Sequence, residues 1–357
     1  MKKTIVVIIL LVAWAVSIGQ QKKLDEFIKE YTAKQNFHGT ILVHKDKKMI
    51  YEGGYGFANR QFSIPNNTDT KFKIASVTKL FTAVLILHLY ENGKIDLNAP
   101  IKTYLPDYKG EGAARVTIHH LLNHTSGIEN IEKDTTKEFK NPWFDVYQKP
   151  YSTEQLLDKF CSGKLENEPG KKFNYNNGDY IILGKIIERQ YQNSFDKVVT
   201  SEILEPLELN HTGMFYQSSV IPNLANTYAW NDSLKTFEND RQAYIENWYA
   251  SGGMFSNTHD LLKFTNTLFE FKLIKAETLK LLLTPGLDNY GYGVWIRDVE
   301  INKKSYKTMQ RFGRIRGANA VLYKFLDPDI TIVILGNTSA VTNLGSFAYE
   351  IGKIILE

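Results

Sequence analysis

The sequence predicts an α+β fold, in which helices flank an antiparallel sheet and an all-helical lobe is inserted between the sheet-forming segments. Short β-rich runs lie near both ends of the chain, whereas the apolar pattern from about residue 95 to residue 270 is mostly helical. Cys161 is the only cysteine, so the core must hold without an intrachain disulfide, and 43% hydrophobic residues are ample for that. The groove between two such lobes is where we expect a ligand site.

The first 19 residues are typical of a secretory signal peptide. Met1-Lys2-Lys3 precedes an almost purely apolar run from residue 4 to 18, and Ser17 and Gly19 occupy the −3 and −1 positions of a cleavage site. The run is short for a membrane span. We therefore expect a periplasmic or secreted protein that begins near Gln20, without a stable membrane anchor; an uncleaved anchor is the alternative.

The charge balance excludes two classes of partner. The formal net charge is +4, and removal of Lys2 and Lys3 with the leader leaves about +2. This is too close to neutral to indicate a nucleic acid or an anionic membrane as partner.

The N-terminal elements follow from their patterns. An amphipathic helix is expected over residues 24–35, then a hairpin whose strands, 40–43 and 48–52, flank the polar turn 45–47. A nearly all-round apolar helix then begins near Ser76 and ends before Gly93, a residue suited to the position after a helix C-terminus.

After residue 93, the middle of the chain is predicted to be mostly helical and the C-terminal part mostly β, before a last helix. Helices are expected at 118–123, 153–161, 180–190, 195–205 and 260–269. Strands are expected at 293–299, 306–310, 320–325 and 330–335, and a last helix at 344–356.

Ser76-Val77-Thr78-Lys79, at the head of the buried helix, is a candidate nucleophile segment. A serine there lies beside free backbone N–H groups, and a lysine three residues on shares its helix face. A Ser–Lys nucleophile needs this combination of hydroxyl, amine and oxyanion donors. The pattern recurs from Ser194 to Lys197, where we interpret the serine as a helix N-cap. The same interpretation, with a solvated lysine, is the alternative for Ser76.

Tyr175-Asn176-Asn177 is a second candidate. A phenol beside a lysine can relay the serine proton, and an amide side chain can bind a substrate carbonyl. Tyr-x-Asn also occurs at Tyr90 and at Tyr191, where helices end in turns, so the alternative is an ordinary turn.

The segment from Arg311 to Gly317 is the third candidate. It carries three arginines and two glycines at a strand boundary. The arginines could bind a carboxylate or could form a solvated strand end, and the glycines allow close approach to the backbone.

His119, His120 and His124 lack an acidic third ligand in their element, so packing and capping are favoured over metal binding. No metal site or cofactor is predicted.

Together these motifs resemble the serine β-lactamase-like family, which includes class C β-lactamases, D-alanyl-D-alanine carboxypeptidases, penicillin-binding proteins and family VIII esterases. The likeness covers nearly all of residues 20–357 and implies the β-lactamase/transpeptidase-like fold for this domain. The segments that carry it, in family order, are 72–79, 121–127, 169–177, 251–254 with 260–261, and 290–293.

The resemblance implies roles for individual residues. Ser76 would be the acylated nucleophile and Lys79 its proton partner, and Tyr175 would assist proton transfer to the leaving group. Asn177 would bind the substrate amide or the lysine. The backbone amides of Ser76 and Arg314, next to Gly313, would form the oxyanion hole.

The third motif departs from the family pattern. Lys-Thr-Gly or His-x-Gly is usual, whereas this chain has Arg311-Phe312-Gly313. Arginine keeps the charge but cannot give up its proton. Lys307-Thr308 is the other register, but Met309 then stands where a glycine is needed. We expect Arg311 to favour substrates with a carboxylate near the scissile bond.

These observations predict an exported serine hydrolase that forms an acyl-enzyme on Ser76. Its substrate would be a small molecule or cell-wall peptide: a peptide, an amide (β-lactams included) or an ester. The alternative is a catalytically silent module of the same fold that senses cell-wall peptide or β-lactam. The sequence does not choose among lactamase, carboxypeptidase, esterase and aminopeptidase, nor does it indicate an oligomeric state.

Overall fold

The computed structural model describes residues 19–130, 132 and 146–357. The predicted signal peptide lies outside these residues except for Gly19. In the described part of the chain, no helix combines the length and the apolar character that crossing a membrane requires.

Six antiparallel strands form the central sheet, in the order β10-β11-β12-β13-β1-β2. Its N-terminal strands are β1 (Gly39–Lys45) and β2 (Lys48–Tyr55). Its C-terminal strands are β10 (Trp295–Ile301), β11 (Lys304–Ile315), β12 (Ala318–Phe325) and β13 (Ile330–Gly336). The pairing of β1 with β13 joins the two ends of the chain, with Gly39 opposite Gly336. The predicted antiparallel sheet built from both chain ends is confirmed.

Both faces of the sheet centre are buried. On one face, Ile41 and Val43 pack with helix α1 (residues 19–34) and helix α12 (Leu344–Leu356). Leu42, between them, points to the other face and joins the larger core cluster. Because both faces are covered, the central strands are continuous apolar runs rather than alternating ones.

The larger core surrounds helix α2 (Thr78–Glu91), whose residues are buried except near its C-terminal end. Gly93 follows it with a φ of +67°. The other helices are α3 (Ile101–Tyr104), α4 (Ile118–Leu122), α5 (described over 146–148), α6 (Thr153–Phe160), α7 (Asn177–Tyr191), α8 (Phe195–Val199), α9 (Tyr249–Gly252), α10 (Thr258–Phe269) and α11 (Ala276–Leu282). A π-helical turn, Thr200–Leu204, continues α8.

Short strands also lie outside the central sheet, some of them in the middle region, and the sequence pattern did not indicate them. A three-stranded sheet is ordered β5-β9-β6, from Phe72–Lys73, Met254–Ser256 and Gly213–Met214. Two hairpins pair β3 (Phe57–Asn59) with β4 (Ile64–Pro65), and β7 (Tyr228–Asn231) with β8 (Thr236–Asn239). Runs of two to four residues are too short to show a periodicity, so only tertiary pairing defines them.

Candidate active site

Ser76 lies in a tight turn that leads into helix α2. Residues Ala75–Val77 form a 3₁₀ turn and the α-helix begins at Thr78, so the serine precedes the helix instead of lying in its first turn as expected. Buried Ala75 has a φ of +46°, a region that L-residues other than glycine seldom adopt. The Thr78 hydroxyl donates to the Ala75 carbonyl at 2.7 Å, which holds the turn that presents Ser76.

Lys79 is fully buried beside the serine. Its Nζ donates to Ser76 Oγ at 3.2 Å, to Asn177 Oδ1 at 2.6 Å and to the Ser251 carbonyl at 2.7 Å. Burial lowers the pKa of this amine to about 8, and the Arg311 cation acts in the same direction. An amine with this pKa is partly unprotonated near neutral pH and can accept a proton from the serine.

Tyr175 contacts the serine from another side. Its hydroxyl donates to Ser76 Oγ at 2.9 Å and accepts from Arg311 Nη2 at 2.8 Å. Burial alone would raise the pKa of the phenol, but the charges of Arg311 and Lys79 outweigh it and lower the pKa to about 8. The phenol and the lysine therefore form one proton-exchanging group around Ser76.

The loop entering helix α7 fixes Tyr175 and Asn177. Asn176 caps the helix, because its Oδ1 accepts from the Gly178 amide at 2.9 Å while its Nδ2 donates to the Ile128 carbonyl at 3.1 Å. The residues on either side of this cap are thereby held toward the serine. Asn177 was expected to bind either the lysine or the substrate amide. It contacts Lys79, and its contact with substrate stays a prediction.

Glu132 is a residue of this site that sequence reasoning missed. Its Oε1 accepts from Asn177 Nδ2 and from the Tyr147 hydroxyl, both at 2.8 Å. Tyr147 in turn stacks on Trp248, with ring centroids 3.4 Å apart. The carboxylate orients the Asn177 amide so that its oxygen faces Lys79. No motif surrounds Glu132 in the sequence, so only the fold reveals it.

Arg311 is fully buried, and its donors point at protein groups. Nε donates to the Ser76 carbonyl at 2.5 Å, Nη1 to the Tyr290 hydroxyl at 2.8 Å and Nη2 to Tyr175. The guanidinium therefore clamps the nucleophile turn to the tyrosine. Three of its five N–H groups thus donate within the protein, and binding of a substrate carboxylate by Arg311 stays a prediction.

Gly313 lets strand β11 pass directly against the nucleophile turn. A Cβ atom there would lie 2.2 Å from the Ile74 carbonyl oxygen and 3.2 Å from the Ser76 nitrogen. Arg314 follows on the same strand with an exposed side chain. The close approach is compatible with an oxyanion hole formed by the Ser76 and Arg314 amides, and that role stays a prediction.

Aromatic rings form one wall of the site. The Trp295 ring is nearly parallel to Tyr175, at a centroid distance of 5.9 Å, and the Arg311 Cζ lies 5.6 Å from the Trp295 centroid. Tyr290 packs edge-on against Trp295 at 4.7 Å. Isolated aromatic residues in the sequence are usually core residues, so nothing there indicated a role for Trp295.

A buried His–Asp pair lies beside the tyrosine. His124 Nδ1 and Asp179 Oδ2 are 2.9 Å apart, and the His124 ring centroid is 4.4 Å from that of Tyr175. Burial lowers the pKa of His124 well below its usual value and raises that of Asp179 well above its usual value, which favours the uncharged form of each group. His120 caps helix α4 with Thr117, which agrees with the expected capping role.

The second Ser-x-x-Lys segment has none of these surroundings. Ser194 is the exposed N-cap residue of α8, as expected, although its side chain makes no capping hydrogen bond. Lys197 is exposed. Context, not the four-residue pattern, separates the two segments.

Residues 24–348 match the family model described as Beta-lactamase. The chain belongs to the beta-lactamase family. Its relatives in this family include the teichoic acid D-alanine hydrolase of Staphylococcus aureus, 26% identical over 281 residues, which are 77% of this chain and 66% of the relative. The chain thus spans slightly less than two thirds of the length of the curated relatives it matches.

Solved structures show the same family fold. A penicillin-binding protein from Bacillus halodurans has a TM-score of 0.75 at 26% identity, covering 89% of this chain and 97% of that one. The D-amino acid amidase of Ochrobactrum anthropi has a TM-score of 0.76 at 19% identity, covering 94% and 98%, which shows a common fold. The family predicted from the motifs is confirmed.

Proposed function

We propose that this chain is an exported serine hydrolase that forms an acyl-enzyme on Ser76. The observation that carries the proposal is the position of the Ser76 hydroxyl, which lies 3.2 Å from Lys79 Nζ and 2.9 Å from the Tyr175 hydroxyl. A nucleophile within hydrogen-bonding reach of a base of suitable pKa is what nucleophilic catalysis requires.

Acylation follows from these contacts. Unprotonated Lys79 takes the Ser76 proton, directly or through Tyr175, while Oγ attacks the substrate carbonyl carbon. The Ser76 and Arg314 amides stabilise the oxyanion of the tetrahedral intermediate. The proton then passes through Tyr175 to the leaving oxygen or nitrogen as its bond to the carbonyl carbon breaks. Water attacks the acyl-enzyme in the second half-reaction and restores Ser76.

Esters and amides of D-alanine are the substrates we favour among the peptides, amides and esters that the site could cleave. The support comes from the relatives, since one is named a teichoic acid D-alanine hydrolase and one fold neighbour a D-amino acid amidase. β-Lactam hydrolysis is less favoured because the third motif has Arg311 where lactamases have lysine.

Intact-mass analysis tests the proposal. The protein is offered a fluorophosphonate, a penicillin and a D-alanyl ester in turn, and we expect the mass of an adduct on Ser76 with the fluorophosphonate and turnover of the ester. If none of the three yields an adduct or turnover, the silent binding module becomes the better explanation. The hydrogen-bonded Ser76 is the observation that now favours the enzyme.

Export carries its own prediction. We expect the mature chain to begin close to Gln20 and to be recovered outside the cytoplasm, because residues 1–19 have the charged, apolar and small-residue regions of a signal peptide. N-terminal sequencing of the expressed product checks this. A membrane-bound product that still begins at Met1 would mean that the segment is an anchor.

Replacing Arg311 by methionine is expected to move the acidic limb of the pH profile of kcat/KM to higher pH. The Arg311 charge lowers the pKa of both Lys79 and Tyr175, so its loss raises both and the base forms become populated only at higher pH. Arg311→Lys keeps the charge and should shift the limb less. The profile is measured on a neutral ester, and an unmoved limb in Arg311→Met would argue against electrostatic control by this residue.

A further inference from the structure

A small cavity beside the nucleophile turn has no role in the chemistry described above. Its volume is about 110 Å³, and its lining includes Lys73, Asp240, Arg241, Ile315 and Arg316. It lies where strand β5, the end of strand β11 and the loop after β8 meet.

The cavity is close to Ser76. Lys73 is three residues before the nucleophile, so their Cα atoms are at most about 11 Å apart. On the other wall, Ile315 is two residues after Gly313, the residue that lies against the nucleophile turn. The backbone around Ser76 and the walls of the cavity are thus neighbours, which a substrate that spans both would require.

Positive charge predominates in the lining. Among the described lining residues are three cations, Lys73, Arg241 and Arg316, and one carboxylate, Asp240, whose Oδ2 already accepts from the Gly317 amide at 2.8 Å. Glu246 also acts on Lys73 from nearby, and with it the balance of the groups that the structure describes here remains positive by one charge. An anion entering the cavity would therefore be attracted.

A bound anion would stabilise the partly desolvated ammonium group of Lys73. It is partly buried, and burial lowers the pKa of its amine. Its Nζ lies 4.7 Å from the Phe215 ring centroid, and within the described residues it makes no ion pair. A partly desolvated ammonium is stabilised when an anion binds to it.

We propose that this cavity binds a small oxyanion, a carboxylate or a phosphate ester, carried by the substrate whose carbonyl is attacked by Ser76. The inference rests on the proposed function and deepens it by naming a substrate class. It assigns to Lys73 and Arg241 the anion recognition that the sequence had suggested for Arg311, three of whose five N–H groups donate within the protein.

Matched esters test the proposal. One is the 4-nitrophenyl monoester of glutaric acid, which keeps a free carboxylate, and the other is its neutral amide analogue. Lys73→Met removes the charge at similar length, and Arg241→Gln is a second variant at an exposed position that should fold normally. Lys71→Met is the control, since Lys71 lies two residues away and outside the cavity lining.

We expect both cavity variants to lower kcat/KM for the acid ester, Lys73→Met by about tenfold or more, as loss of a charge-assisted contact does. The loss on the neutral ester should be smaller, and the control should lower neither. Equal losses on the two esters, or an equal effect of Lys71→Met, would overturn the proposal.

Binding to Ser76→Ala separates this inference from the proposed function. Calorimetry with glutarate and with inorganic phosphate should show binding of at least one anion, abolished by Lys73→Met, and the anion that binds identifies the source. Such binding without any wild-type ester hydrolysis would support the cavity and contradict the enzyme. Hydrolysis without binding of either anion would overturn the cavity alone.

Discussion

Ser76→Ala is expected to lower kcat for ester hydrolysis by about 10⁴-fold or more and to abolish covalent labelling by a fluorophosphonate. The Ser76 hydroxyl is the oxygen that both Lys79 and Tyr175 contact, so its removal leaves the proton-transfer groups with no nucleophile to activate. Loss of one half-buried oxygen should leave the fold intact. Initial rates and intact mass of the labelled protein measure the effect.

The chain supplies a matched control. Ser194→Ala changes a serine in the same four-residue pattern, but at an exposed helix N-cap remote from this hydrogen-bond network. We expect near wild-type turnover and labelling. An adduct located on Ser194 would show that the wrong segment was assigned as the nucleophile.

Lys79→Arg should be nearly as damaging as loss of the serine. Arginine stays protonated at any pH that the protein tolerates and cannot act as a base. The larger guanidinium must also fit where the lysine Nζ now contacts Ser76, Asn177 and Ser251. The measurement is kcat/KM together with the thermal unfolding midpoint, so that a folding defect is recognised.

Lys197→Arg, at the exposed lysine of the second segment, should change neither quantity. If Lys79→Arg unfolds the protein, the smaller Lys79→Met tests the same loss of base. Full activity in a folded variant lacking Lys79 would remove this lysine from the mechanism.

The long elements were predictable because each repeats its own signal. Helix α12 was expected at 344–356 and is Leu344–Leu356, since its apolar face recurs over more than three turns. Strand β11 was expected only at 306–310 and runs over Lys304–Ile315. Its extension includes Gly313, a residue type that is depleted in strands, and pairing with β12 overrides that preference.

The site shows a similar division. Ser76, Lys79, Tyr175 and Asn177 were recognised because each lies within a motif, and in the structure a chain of three hydrogen bonds connects them. Glu132 and Trp295 were missed because a lone glutamate and a lone tryptophan have no distinguishing neighbours in the sequence.

By itself the sequence determined the family, the sheet built from both chain ends and the residues proposed for proton transfer, because motif order and apolar periodicity are properties of the chain. Only the tertiary structure decided the environment of each charge. From the sequence, Arg311 could bind a carboxylate or lie at a solvated strand end. In the fold it is buried, and its nitrogens donate to the Ser76 carbonyl, Tyr290 and Tyr175. In contrast to Arg311, Lys73, three residues before the nucleophile, lines a cavity. The burial and the hydrogen-bond partners of each cation depend on residues that are distant in sequence. Burial and partners together decide what that cation can bind.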